Sequence, residues 1–191
     1  MSASRVSGLV LGLAVLASGV APMAQTMGIP ERFSANAVDV NSGQTGRVEI
    51  SIRRWSTPAE REQLLGTLYK EGSDELLQKL ESMRSVGRIY TPGSIGYELR
   101  YAEQRELPDG GRVIVAAAAR RMSFYELLNR PRSADYPFTW VQIDMPKAGA
   151  GEGVLAVAAR VYGDNPNRPI EVENYKLEPI RLQTVTAHEE D

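Results

Sequence analysis

The stretch GRVEISIRRWSTPAEREQLLGTLYKEG, residues 46–72, changes its hydrophobic period half-way along. Val48, Ile50 and Ile52 fall on one face and Glu49, Ser51 and Arg53 on the other, the alternation of an antiparallel strand with one face in a core and one in water. From Thr57 the spacing becomes helical. Thr57 can cap a helix, Pro58 suits the first position because no N–H is needed there, and Glu60 can reach back to the Thr57 N–H to complete a capping box. Leu64, Leu65 and Leu68 make an apolar stripe, and Gly72 is placed as a left-handed stop. A second helix follows at once. Ser73, Asp74 and Glu75 favour its N-terminus, Leu76, Leu77, Leu80 and Met83 form its apolar face, and Gly87 is expected to end it. The stripes of this helical hairpin require an extended surface to cover, and a sheet is the one available.

Strands lie on both sides of the hairpin. RFSANAVDV (32–40) pairs with the strand after it through the turn NSGQTG. From Ile95 onward, GYELRYAEQRELPDGGRVIVAAAARR (96–121) reads as two strands joined at PDGG, a turn that hairpins favour. FTWVQIDMPKAGAGEGVLAVAARVYG (138–163) reads as a long hairpin, and IEVENYKLEPIRLQTV (170–185) as one strand bent or bulged near Pro179. The fold expected is α+β: an antiparallel, strongly curved or barrel-like sheet of about eight strands with an inserted helical hairpin. Two strands, VIVAAAA (113–119) and VLAVAARV (154–161), are apolar on both faces and belong in the middle of the sheet. Their alanines either let helices approach closely or leave an apolar cavity.

Residues 1–24 carry one basic residue, Arg5, no acidic residue, and an apolar run from Val6 to Val20. This is a signal-peptide pattern, with a cut expected after Ala24; the same stretch could barely span a membrane as an uncleaved anchor. Residues 25–191 then form a single globular domain in which 187–191 is a polar tail. The chain has no cysteine, so a lipid-bearing N-terminal cysteine is excluded and a core of this size must stand without disulfides. Removal of Arg5 from the 22 basic residues, against 24 acidic ones, leaves a net charge of −3. That balance argues against nucleic acid and against anionic membranes as partners.

The segments RFSANAVDV, GRVEISIRRWSTPAEREQLLGTL, GRIYTPGSIGYELRYA, RPRSADYPFTWVQIDM and VENYKLEPIRL together resemble a family of uncharacterised exported bacterial proteins of acidobacterial-type genomes. The resemblance implies export and a single domain, and it carries over no catalytic or binding residue.

His188 is the only histidine and falls in the expected C-terminal tail, so a Ser-His-Asp or Cys-His centre would have no positioned base and ordinary zinc sites lack their ligands. No metal and no cofactor is expected. Carboxylate pairs remain as candidate acid and base: Glu103 with Glu106, Glu171 with Glu173, and Asp135 with Asp144. Each also fits a solvated strand face. GAGEG (149–153) leads into a strand rather than a helix, so it reads as a hairpin and not a phosphate loop. GDNPNRP (163–169) reads as a turn, because it lacks the glycine and terminal glutamate of a calcium loop. Between Arg120 and Trp140, SFYE suggests a short helix from Ser123 to about Asn129. Arg120 and Arg121 precede that helix, where a cation calls for an anion or carboxylate nearby. One of these two arginines, with Ser123, Tyr125 and Tyr136, is the candidate ligand-binding group; an internal pair with Glu126 or Asp135 is the alternative. The function expected is a non-catalytic binding or interaction domain of the cell envelope, periplasmic or secreted, with an apolar or anionic small ligand or an envelope protein as partner. A carboxylate-dependent hydrolase of an envelope polymer and a structural envelope component are the alternatives.

Overall fold

Strand pairing closes this molecule. A computed structural model describes residues 28–120, 131–167, 170–176 and 178–189. The expected signal segment and the expected helix at 123–129 lie outside them. In chain order the elements are β1 (Glu31–Asp39), β2 (Gln44–Ile52), α1 (Pro58–Lys70), α2 (Ser73–Ser82), β3 (Gly87–Tyr90), β4 (Tyr97–Leu99), β5 (Tyr101–Glu106), β6 (Arg112–Ala119), a 3-10 turn (Pro131–Asp135), β7 (Phe138–Met145), β8 (Gly151–Tyr162), β9 (Glu171–Asn174) and β10 (Ile180–Glu189).

All pairings are antiparallel, in the order β4-β3-β2-β1-β10-β8-β7-β6-β5, with β9 also on β8. The two ends of that path, β4 and β5, are one stretch of chain bent at Arg100. The Arg100 N–H donates to Ala117 O at 2.9 Å and the Val86 N–H to Leu99 O at 2.8 Å, so the bent stretch is stitched to both neighbours. The result is a nearly closed barrel. β9 and β10 lie in succession along the same edge of β8, one strand interrupted around Pro179 as its sequence suggested.

Alternation sends Phe33, Ile50, Ile52, Leu99, Ala102, Ile114, Ala116, Ala118, Val141, Ile143 and Leu182 into the barrel. On the outside, Tyr101, Ala117, Phe138, Ala156, Ala159 and Val161 meet Leu64, Leu68, Leu76 and Leu80 of the helices. The alanines of β6 and β8 are therefore buried on both faces, and on the outer one they bring the helices close. The capping box of α1 is formed: the Glu60 N–H donates to Thr57 Oγ1 at 3.2 Å and the Thr57 N–H to Glu60 Oε2 at 2.7 Å. Arg54 adds two hydrogen bonds to the Glu60 carboxylate, each 3.0 Å. Gly72, at φ +105°, separates the two helices.

Three expectations are corrected. Helix α2 ends at Ser82, not Gly87; Gly87 opens β3, where a Cβ would lie 2.0 Å from Ser51 O, so glycine is required by the close approach of two strands. Leu65 and Leu77 are half-buried flanks of the helical stripes rather than core. Ala187, His188 and Glu189 are not a tail but the end of β10, opposite Phe33, Arg32 and Glu31 of β1. Backbone pairing holds them, and polar side chains give no warning of it.

The end of the barrel holding the N-terminus of β1 is filled. Arg112 and Glu31 form a two-pronged ion pair, 2.8 Å on each prong, and the Arg112 guanidinium lies over the Phe33 ring. Trp55 closes the gap beside them through Nε1–H to Ile29 O at 3.1 Å.

Candidate functional site

The opposite end is open. The β1–β2 and β3–β4 turns, the start of β10 and the middle of β8 surround a cavity of about 340 Å³. Its floor and walls are Ala37, Val48, Ile89, Leu155, Val157 and Ile180, with Tyr90 and Tyr97 at one side. Val157 and Tyr97 are each 38 % exposed, so the mouth presents apolar side chains to solvent.

Two local irregularities shape this mouth. In β8, Phe138 faces Ala159 and Trp140 faces Ala156, so Thr139 alone opposes Val157 and Ala158. Val157 follows Leu155 into the cavity at the period of two, and the bulge beside it shifts the phase so that Ala159 and Val161 face outward. Thr139, 2 % exposed on the cavity floor, donates Oγ1–H to Val157 O at 3.0 Å and so satisfies the carbonyl that the bulge removes from the ladder. In the β3–β4 turn, Gly96 has φ +68° and a Cβ there would meet Ile89 O at 2.1 Å. Only glycine lets the chain fold back tightly enough to bring Tyr97 over Ile89. A third irregularity stands in the barrel wall: Thr184 has φ +52°, and it shares with Val185 the place opposite Ala35. That extra residue lets Leu182 and Val185, three apart in sequence, both face inward.

Among the described residues, Asp39 and Arg47 are the charged ones lining the mouth. Asp39 accepts from Lys176 Nζ at 2.7 Å and from the Asn41 N–H and side-chain amide, each at 3.0 Å. Lys176 foremost, then Asn41 and Ser42, hold its carboxyl well below the usual carboxylate range. Arg47 turns along the outer face of β2, donating to Glu49 Oε1 at 2.6 Å and Ser34 Oγ at 3.2 Å. Burial pushes the Glu49 carboxyl up, but hydrogen bonds from Ser34 and Arg47 outweigh it and leave it lowered.

A second cavity, about 70 Å³, lies between the helices and the outer sheet. At its edge Arg61 donates to Glu103 Oε2 at 2.9 Å and the Tyr101 hydroxyl to the same oxygen at 2.6 Å. Burial, then the Glu103 charge, pushes the Tyr101 hydroxyl far up, so it stays a donor. Trp140 lines this space too, and its Nε1 is buried without an acceptor among the described residues.

Of the residues proposed from sequence, Arg120 and Tyr136 are described, and Arg121, Ser123 and Tyr125 lie outside the described residues. Arg120 Nη1 and the Tyr136 N–H converge on Ser133 O, at 3.2 and 3.1 Å. Arg120 borders a cleft of about 220 Å³ with Glu81, Glu98 and Arg100, next to the mouth through the shared Tyr97. Tyr136 turns the other way, donating to Glu173 Oε1 at 2.7 Å and packing edge-on against Tyr175. Tyr162 takes the other Glu173 oxygen at 2.7 Å; burial, then Glu173, pushes its hydroxyl up to about 12.

The carboxylate pairs do not assemble into an acid and a base. Glu103 is bound by Arg61 and Tyr101, Glu173 by two tyrosines, and Glu106 and Glu171 are exposed. Asp135 ends the 3-10 turn before β7 and Asp144 lies near the far end of β7, with the strand from Phe138 to Asp144 alone spanning about 20 Å at ~3.3 Å per residue. GAGEG is a hairpin entry: a Cβ on Gly153 would lie 2.2 Å from Gln142 O on the neighbouring strand. Sequence reading missed the mouth residues Tyr97, Thr139 and Val157. The run VLAVAARV, apolar on both faces, gave no local signal of the bulge beside Val157. No protein-family model, no curated protein and no solved structure matches this chain.

Proposed function

We propose that this chain is a non-catalytic binding domain exported to the cell envelope, holding a small, largely apolar ligand in the mouth of its barrel. The observation that carries the reading is the cavity of about 340 Å³, walled by Val48, Ile89, Leu155, Val157 and Ile180 at one end of a barrel whose other end is filled. Its volume is at the lower end of the ~300–1,000 Å³ usual for small-molecule sites, and barrels of about eight strands are wide enough to hold one small ligand. Rigid strands supply the walls and short turns the rim, the arrangement in which a binding site is positioned with least loss of freedom. Export rests on the leader pattern of residues 1–24.

The test is a fluorescence titration with N-phenyl-1-naphthylamine, whose emission rises on entering an apolar site. Saturable binding at one site per chain is expected, with Val157→Arg and Tyr97→Ala each weakening it about tenfold or more while melting curves stay within a few degrees of wild type. A probe that fails to bind, or that binds equally well to both variants, overturns the reading.

A further inference from the structure

We infer that the ligand of the barrel mouth is an uncharged molecule, an apolar body with neutral hydrogen-bonding groups, and that the fold excludes both anions and cations from this site. The inference rests on the binding reading above and concerns which chemistry the mouth accepts. Among the described residues lining the cavity, Asp39 and Arg47 alone carry charge, and each is paired with an opposite charge of the same chain. The Asp39 carboxylate is covered by Lys176 Nζ at 2.7 Å and by two nitrogens of Asn41. Asn41 is anchored in turn, donating Nδ2–H to Glu178 O at 2.8 Å, so the β1–β2 turn is tied to the chain segment that carries Lys176. Arg47 is drawn away along the outside of β2 by Glu49 and Ser34.

What remains toward the cavity is uncharged. The other polar residues that line it, Gln44, Thr45, Tyr90, Thr91, Ser94 and Tyr97, carry hydroxyl or amide groups and no charge. An ion entering an apolar space of this kind loses its hydration and finds no counter-charge, whereas a hydroxyl or carbonyl group meets donors and acceptors at the rim. The same geometry says how the selection can be broken. Asp39 follows the inward-facing Ala35 and Ala37 at the period of two, so its carboxylate stands on the cavity side of β1. Removing the Lys176 ammonium would leave that carboxylate uncovered, and the mouth would then favour a cation.

The experiment is displacement of N-phenyl-1-naphthylamine by three competitors sharing one ring system: 2-naphthalenemethanol, 2-naphthalenesulfonate and 2-naphthylmethylammonium. In the wild-type protein the alcohol should compete at least about tenfold better than either ion, ten being the factor that ~1.4 kcal/mol of binding free energy produces. Lys176→Gln should improve the ammonium about tenfold and leave the alcohol within about twofold, and Lys176→Arg should behave as wild type. Equal competition by either ion in the wild type, with Val157→Arg still blocking all three, overturns the neutral-ligand inference and leaves the binding reading intact. An ammonium that gains nothing from Lys176→Gln overturns the role given to Asp39 and with it the inference. If no naphthalene compound binds, or Val157→Arg leaves binding unchanged, both fall together.

Discussion

Truncating Leu80 tests whether the helical hairpin belongs to the core. Leu80 is 2 % exposed on α2 and packs among the outer cluster that includes Leu68, Ala117 and Phe138. Leu80→Ala removes three carbons, ~2.4 kcal/mol of transfer free energy at ~0.8 kcal/mol per methylene. Leu80 also borders the cavity of about 70 Å³ under the helices, so its deletion enlarges a space that strands β5–β8 hold open from below. If a further void of ~60 Å³ persists, at ~24 cal/mol per Å³ it adds about 1.5 kcal/mol. Alanine's better helix propensity returns a few tenths at most. The expected destabilisation is about 3–4 kcal/mol, measured by urea unfolding followed by far-UV circular dichroism. In a chain of this size that corresponds to a fall in Tm of roughly 6–16 °C. Leu65→Ala, on the half-buried flank of the same hairpin, is the internal comparison and should cost clearly less. A Leu80→Ala loss within about 0.5 kcal/mol of wild type, the range of surface substitutions, would refute the reasoning and make the helices peripheral.

The other expectations concern local strain and acid stability. Thr184→Asn should stabilise by about 0.5–1 kcal/mol, because a β-branched residue at φ +52° is strained and asparagine tolerates that region; a loss of stability would show that the threonine is held by contacts worth more than the strain. Glu60→Ala should cost about 1–2 kcal/mol at pH 7, since it removes charge-assisted bonds to Arg54 and to the Thr57 N–H. Arg54 first, against burial and helped by Thr57, lowers the Glu60 carboxyl from 4.5, so its stabilisation is complete above about pH 4.5 and is lost as pH falls through the lower folded value. The gap between wild type and Glu60→Ala should therefore close in acid, and a gap that stays constant to pH 3 would contradict the assignment.

Local chemistry was legible wherever neighbouring residues in sequence decide it. Thr57, Pro58 and Glu60 specify a helix start whatever the rest of the chain does, and the structure forms that capping box. Val48, Ile50 and Ile52 specify which face of β2 is buried, and the doubly apolar alanine strands specify burial on both sides, because a period of two or of 3.6 is a property of a single segment. The general class, a curved antiparallel sheet carrying a helical hairpin, follows from adding such segments together. β3 escaped because four residues, GRIY, are too few to show a period, and Gly87 in isolation reads as a helix stop.

Partners, closure and the mouth were decided only in three dimensions. Alternation says which face a residue takes but not which strand lies beside it, since backbone N–H and C=O groups are common to all residues. Nothing in the polar sequence of Ala187, His188 and Glu189 announces pairing with Glu31–Phe33 at the other end of the chain. Arg100 reads as one more strand residue, and only its bend lets β4 and β5 join the two ends of the sheet. The cavity depends on that closure, and its charge balance on Lys176 reaching Asp39 across the chain. The spacing within each segment sets what that segment can bury; which apolar faces meet, and which stay open at the barrel mouth, depends on strand pairing between distant segments.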